Sequence, residues 1–326
     1  MGMADDVARL EAGTAFADRS DRGFVLVSGP DTFSFLQALV SADLDPLAPG
    51  DGTDCLLLHP QGKLDVAFRL LRAASSSSGP SPDAPGTVPG DVAALDCDPG
   101  LSGPLTASLL KYRIRVKAEV FDGTGELAML SFLSAAAPAP PVGLPDSPHA
   151  HVVDDELRFV RTRQGYDVIG PPAAVERHVE ALAEQGVTEA VPKAYEAWRI
   201  DHGIPMQPFD LDDTTIPQEA FLELDAVSFT KGCFIGQELV CRIDSRGHVN
   251  RFLRTIDVLD GDARPEVGAE IVVDDKVVGA VTSVTPEGVP PVALGYVRRE
   301  VEPPADVQLR WGTGPGADEA AARLRS

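Results

Sequence analysis

Apolar and polar positions recur with two different periods along the chain, and the changes between them outline its elements. Gly23–Ser28 (GFVLVS) is an apolar run of the length of a buried strand. Pro30–Val40 then carries Phe33, Leu36 and Val40 at helical spacing. Asp54–Leu58 and Lys63–Leu71 predict two strands joined by a turn at Pro60-Gln61-Gly62, and Val92–Leu95 predicts a third. Pro104–Tyr112 places Leu105, Leu109 and Tyr112 on one helical face. Arg115–Phe121 alternates as a half-buried strand does, with Val116, Ala118 and Val120 on one side and Arg115, Lys117 and Glu119 on the other. Leu127–Phe132 predicts another strand, and Leu157–Thr162 with Tyr166–Ile169 predicts a hairpin. Pro171-Pro172 opens a helix where proline is tolerated; Val175, Val179 and Leu182 form its apolar face and Gly186 ends it. Lys193–His202 predicts a further helix, stopped by Gly203 and Pro205.

From Asn250 the pattern becomes purely β. Thr255–Leu259, Ala269–Val273, Val277–Val284, Val292–Val297 and Val307–Trp311 are short β segments separated by Asp, Gly and Pro turns, as in a small barrel or sandwich. Two stretches, Ser75–Asp91 and Ala135–His149, are rich in Pro, Gly, Ser or Ala without apolar periodicity and are expected to be mobile loops. No fixed-period repeat is present. The pattern is therefore α+β over about the first 250 residues, followed by a β module.

Composition narrows the function. The 326 residues suffice for two or three domains with a buried core. A formal charge of −22 disfavours both nucleic-acid backbones and anionic membrane surfaces. No apolar run is long enough for a transmembrane helix, and Asp5 and Asp6 argue against a signal peptide. Cys55, Cys97, Cys233 and Cys241 form no CxxC pair, which disfavours a disulfide framework or a zinc site and fits a reducing cytoplasm. The absence of heptads and of an obvious interface strand points to a monomer.

The densest chemistry lies in Lys231-Gly232-Cys233-Phe234-Ile235-Gly236-Gln237-Glu238. Two glycines allow tight turning and close approach of a ligand. Helical patterning from Ile235 through Leu239 and Arg242 puts Cys233 near a helix N-terminus and beside Lys231, both of which favour a thiolate. Cys233 can equally be a small buried hydrophobe. Cys55, Cys97 and Cys241 pattern as structural residues. Upstream, the run from Trp198 to Glu219 interleaves Pro, Gly and acidic residues with Phe209 and Leu211, which predicts an ordered irregular segment.

KGCFIGQE resembles the signature of the YgfZ folate-binding family, a branch of the aminomethyltransferase (glycine-cleavage T-protein) superfamily. WRIDHGIP, DLDDTTIPQE and VSFTKGCFIGQELVCRI follow in that family's order and spacing over roughly 195–247. The resemblance implies an α+β cloverleaf of two related ferredoxin-like units around a folate pocket, completed by a C-terminal antiparallel β-barrel. On that scheme residues 1–50 with 150–249 form the first unit, 51–149 the second, and 250–326 the barrel. It implies tetrahydrofolate as cofactor and Lys231 as a holder of the folate glutamate carboxylates, with Gly232, Gly236, Gln237 and Glu238 in the same pocket. Asp167 of Gly165-Tyr166-Asp167 stands where the aminomethyltransferases carry a glutamate that grips the pteridine, and is one methylene shorter. Asp65 of Gly62-Lys63-Leu64-Asp65 stands near their catalytic aspartate, followed here by Val66 instead of a second acid. Glu219 occupies the acid of a Pro-x-Glu run, and Arg199 is placed to orient it.

The same resemblance implies a folate-dependent accessory protein for the assembly or maintenance of iron–sulfur enzymes, including tRNA-modifying ones. Cys233 would then be the reactive thiol, and iron–sulfur enzymes or assembly factors the partners. Two alternatives stay open: an aminomethyltransferase using Asp65, and an interaction protein without folate.

Overall fold

The computed structural model describes residues 2–73, 92–312 and 318–325, so the predicted loop Ser75–Asp91 lies outside the described residues. The chain divides into two compact units. The larger comprises Ala8–Ala190 with Leu224–Gln237, and the smaller Met1–Val7, Val191–Glu223 and Glu238–Ser326. No described helix is long and apolar enough to cross a membrane.

After helix α1 (Met3–Glu11), the larger unit holds two sheets. Strands β1 (Ala15–Asp18), β2 (Gly23–Ser28), β3 (Gly52–Leu58), β4 (Leu64–Ala73), β5 (Val92–Cys97), β6 (Glu119–Asp122), β7 (Ala128–Phe132), β8 (His151–Asp154), β9 (Leu157–Arg161), β10 (Tyr166–Gly170) and β11 (Thr188–Glu189) are joined by helices α2 (Thr32–Leu39), α3 (Ser102–Tyr112) and α4 (Pro172–Glu184). One sheet runs β3-β4-β5-β2-β6 and the other β11-β1-β7-β10-β9-β8. The first packs Val25, Val27, Val66, Phe68 and Leu70 against Phe35, Leu36 and Leu39 of α2 and Leu105 and Leu109 of α3. The second packs Phe16, Phe132, Phe159, Tyr166 and Val168 against Val175 and Leu182 of α4. The opposite face of the second sheet adds Met129, Val160 and Ile169 to Phe24 and Leu71 of the first, a smaller apolar cluster.

The smaller unit contains α5 (Pro192–Asp201), α7 (Gln237–Arg246) over most of its length, and a closed barrel. A short helix, α6 (Glu223–Ala226), precedes the glycine-rich segment. The barrel is antiparallel throughout: β12 (Arg251–Val258), β13 (Glu270–Val273), β14 (Lys276–Val284), β15 (Val292–Arg298), β16 (Ala305–Trp311) and β17 (Asp318–Leu324), in the order β12-β15-β14-β13-β16-β17. Closure pairs every edge, which leaves no open strand.

Three segments depart from the sequence expectation. β17, which closes the barrel, lies beyond the last β segment read from the pattern. Its inward positions are Ala320, Ala322 and Leu324, too small to mark an alternation, and its composition favours helix. Arg115–Phe121 is not one strand: Arg115 takes a left-handed conformation at φ 60°, and pairing is confined to Glu119–Asp122. Its inward side is as expected, with Ala118 buried and Val116 and Val120 packed on the core. The segment Ala135–His149 has no regular element, yet Tyr166 Oη donates to the Pro138 carbonyl and Arg161 to those of Leu144 and Pro145. Ala137, Val142 and Leu144 pack on the second sheet's core.

Candidate functional site

The segment 224–237 is stitched to the connection between α2 and β3. Ser41 Oγ donates to the Ala226 carbonyl and accepts from the Leu56 N–H, while the Ser228 N–H donates to the Ser41 carbonyl. Helix α2 ends at Leu39, where the extended Val40 still donates to the Leu36 carbonyl, and the carbonyls of Gln37 and of the residues just past the helix are left without helical donors. Lys231 supplies donors to three of them. Its Nζ donates to the carbonyls of Gln37 and Val40 at 2.7 Å each and of Ala42 at 2.8 Å. An ammonium has three N–H donors, and all three are spent here on a helix C-terminus, where positive charge is favoured. Burial draws this ammonium below its ordinary range. Lys231 therefore anchors the loop, and its three donors point at these carbonyls and not at the place expected for a ligand's carboxylates.

Gly236 anchors the other end. It sits at φ 78°, and a Cβ there would lie 2.5 Å from the His59 carbonyl oxygen and 3.0 Å from Gly62 Cα, on the turn between β3 and β4. Only glycine allows that approach. Phe234 is buried and Ile235 packs on the core between the anchors. Cys233, between Lys231 and Phe234, is exposed, so the reading of it as a buried hydrophobe falls away. Gly232 meets nothing within 4 Å of a built Cβ, which leaves the approach to Cys233 open. The helix starts at Gln237 and not at Ile235, because Gly236 is left-handed; Cys233 precedes it by four residues. The Gln237 side chain accepts from the Phe234 N–H, closing the turn, and Glu238 lies in the first turn of α7. Burial holds the thiols of Cys55 and Cys241 above the ordinary range and pushes Cys97 up to about 12, which suits structural residues.

Asp167 lies on the buried face between the two sheets, 4% exposed. The hairpin before it turns at Gly165, where a Cβ would lie 2.3 Å from the Phe132 carbonyl oxygen. Its carboxylate accepts from Ser131 Oγ at 2.7 Å and from Arg69 Nη1 at 2.6 Å. Arg69 Nε donates to Asp96 at 2.7 Å, and Asp96 and Asp98 both pair with Arg22. Burial alone would raise the Asp96 carboxyl, but Arg69 and Arg22 outweigh it and hold it below the usual carboxylate range. Arg69 carries a signal in the sequence that was not used, a charge set between Phe68 and Leu70-Leu71 within a strand.

His151 faces the same inter-sheet space. Burial, then the charge of Arg158, lowers its pKa from 6.5 to about 4. The unfolded chain takes up this proton near 6.5 and the folded protein only near 4, so this contribution is complete above 6.5 and is lost as pH falls to about 4. His151→Gln is expected to remove about 1.4 kcal/mol per pH unit from the acid limb in that interval. Urea unfolding at several pH values measures this slope; an unchanged slope contradicts it.

Asp65, on β4, accepts a 2.6 Å bond from Ser108 Oγ of α3 and remains partly exposed. Val66, after it, is fully buried in the core, so no second acid stands there. Arg199 and Glu219 do not pair, contrary to expectation. Arg199 pairs with Asp210 at 2.9 Å and with Glu196, and Asp210 also accepts from Thr282 and Ser283 of β14. Glu219 pairs with Arg251 at 3.1 Å, whose guanidinium stacks on the Tyr296 ring. Each pair ties a loop or helix to the barrel within the smaller unit. In this arrangement both side chains are engaged in architectural pairs.

An α+β unit with two sheets, followed by a closed antiparallel barrel, is the architecture of the aminomethyltransferases. Aminomethyltransferase T of the glycine cleavage system from Bartonella henselae superposes with a TM-score of 0.80 over 100% of this chain and 88% of its own, at 19% identity. The chain belongs to the YgfZ branch of the aminomethyltransferase (glycine-cleavage T-protein) superfamily. It is 30% identical over 236 residues to the tRNA-modifying protein YgfZ of Edwardsiella ictaluri, covering 70% of this chain and 66% of that protein. It is 27% identical over 295 residues to the mitochondrial iron–sulfur cluster assembly factor IBA57 homolog of Chaetomium globosum, covering 84% of this chain and 62% of that protein. It thus spans slightly under two thirds of each of these two relatives. No family model matches the sequence.

Proposed function

We propose that the chain is a folate-binding accessory factor that supports iron–sulfur enzymes, tRNA-modifying ones among them. The observation that carries this is the exposed Cys233, held between the Lys231 and Gly236 anchors, where a partner protein can reach the thiol without unfolding the loop. The names of the YgfZ and IBA57 relatives support the class of partner. Cys55 and Cys97 are buried and Cys241 is partly buried, so Cys233 is the one exposed thiol and any cluster contact there is shared with the partner.

Tetrahydrofolate is the implied cofactor. When bound it supplies a secondary amine able to accept a one-carbon unit. Asp167 fits it: with one bond to each oxygen it keeps lone pairs for the adjacent amino and N–H donors of a pteridine edge, and Ser131 and Arg69 fix its orientation. Lys231 does not fit the glutamate tail. Calorimetry with tetrahydrofolate tests the cofactor reading; saturable 1:1 heat is expected, and its absence leaves an interaction protein without folate. Aminomethyl transfer is the second reading, and the bond that orients Asp65 favours it. Folate-dependent ammonia release from an aminomethyl-lipoyl carrier, abolished in Asp65→Asn, would place this reading first.

A further inference from the structure

Strand register on the six-stranded sheet places three polar side chains, those of His151, Arg158 and Asp167, on one face. His151 lies opposite Val160, Arg158 opposite Val153 and Ile169, and Asp167 opposite Val160. Side chains paired in this way share a face. Arg69, from the other sheet, reaches this face through its bond to Asp167, and its guanidinium is more than nine-tenths buried. Its Nε and Nη1 are paired, whereas Nη2 is buried without a hydrogen-bond partner among the described residues.

Arg158 stands beside it. Shielding from water and the charge of Arg69 lower the Arg158 pKa to about 10. No described carboxylate pairs with Arg158, and the charge acting on it is another guanidinium. Two guanidiniums in a shielded space, one with an orphaned donor and one without a counter-ion, form an arrangement that proteins avoid unless an anion completes it. His151, neutral at neutral pH, adds a polar ring and no competing acid. Arg158 is half-buried and Val153, on the same face, is exposed, so the face opens to solvent at this end.

We propose that Arg158 and Arg69 Nη2 form a binding subsite for the oxyanion of a small molecule, a carboxylate or a phosphate. Arg158 supplies the uncompensated charge and the entrance, and Arg69 the preoriented inner donor. The subsite does not depend on the folate reading, because an inorganic anion suffices to fill it.

The test uses the full chain and Arg158→Gln, which keeps a polar side chain of similar reach and leaves the Arg69–Asp167 pair intact. Thermal unfolding is followed with and without inorganic phosphate at constant ionic strength. The wild type is expected to gain at least about 2 °C with phosphate. Arg158→Gln is expected to unfold at the same or a higher temperature without phosphate, since an unpaired charge has gone, and to show no gain with it. A phosphate gain that persists in Arg158→Gln, no gain in the wild type, or an equal gain with chloride overturns the proposal. The source of the anion is read by calorimetry. If a folate carboxylate occupies the subsite, phosphate competes with tetrahydrofolate and Arg158→Gln weakens its binding at least about tenfold. If a free phosphate occupies it, tetrahydrofolate affinity is the same in both proteins. Absence of tetrahydrofolate binding removes the folate reading, while the phosphate arm still decides the subsite.

Discussion

Arg69→Met is expected to destabilise the protein by about 3–5 kcal/mol, the cost of stranding buried charges whose partner has been removed. Arg69 bridges Asp167 of one sheet and Asp96 of the other, and its side chain is 8% exposed. Methionine fills much of the volume, so the loss reads electrostatics more than a cavity. Asp96 keeps Arg22, but Asp167 keeps only the Ser131 hydroxyl. Adding Asp167→Asn to Arg69→Met should therefore recover part of the loss, because a neutral amide is far cheaper to bury than an unpaired carboxylate. Urea unfolding of the two single variants and the double variant measures the coupling. A loss under about 1 kcal/mol for Arg69→Met would mean that water reaches the network and screens it.

Lys231→Met carries the second large effect, about 2–4 kcal/mol of stability, since three backbone carbonyls lose a charged donor together. The variant should also loosen the loop that holds Cys233. Faster alkylation of Cys233 and faster amide exchange in α2 are the expected signs. Lys231→Arg should recover little, because a planar guanidinium fork does not match three carbonyls converging on one point. If Lys231 instead held a ligand carboxylate, the same variant would lose ligand affinity while unfolding at its usual denaturant concentration.

The two roles show what a sequence can and cannot reveal. KGCFIGQE was conspicuous because its residue types are dense and its glycines are paired. The partners of its lysine, however, are carbonyls of Gln37, Val40 and Ala42, nearly two hundred positions earlier. Backbone oxygens carry no residue signature, so a cap of this kind leaves no trace in composition or spacing. Asp167 was singled out only through the resemblance of Gly165-Tyr166-Asp167 to the aminomethyltransferase turn, and the structure adds that Gly165 there must lack a Cβ. Its partner Arg69 lies on a strand of the other sheet, and only the tertiary fold brings them together. The first five barrel strands were legible from their alternating Val, Ile and Leu. The sixth hides its alternation in Ala320 and Ala322, where the inward residues are too small to contrast with their neighbours. Arg199 and Glu219 were placed in an ordered segment, but each pairs with a different residue, Arg199 with Asp210 and Glu219 with Arg251 of the barrel, partners that sequence spacing does not mark.

Across these contacts Lys231 of the signature serves as a strut, while the Cys233 thiol between the anchors is left exposed. This role of Cys233 is tested by replacing the endogenous protein in cells with Cys233→Ser and measuring the activity of iron–sulfur enzymes, with the folded level of the variant checked by its thermal unfolding. Folding is expected to be unchanged, because Cys233 is exposed, and partner-enzyme activity is expected to fall close to that of cells lacking the protein. Full partner activity at a normal level of folded Cys233→Ser would contradict it.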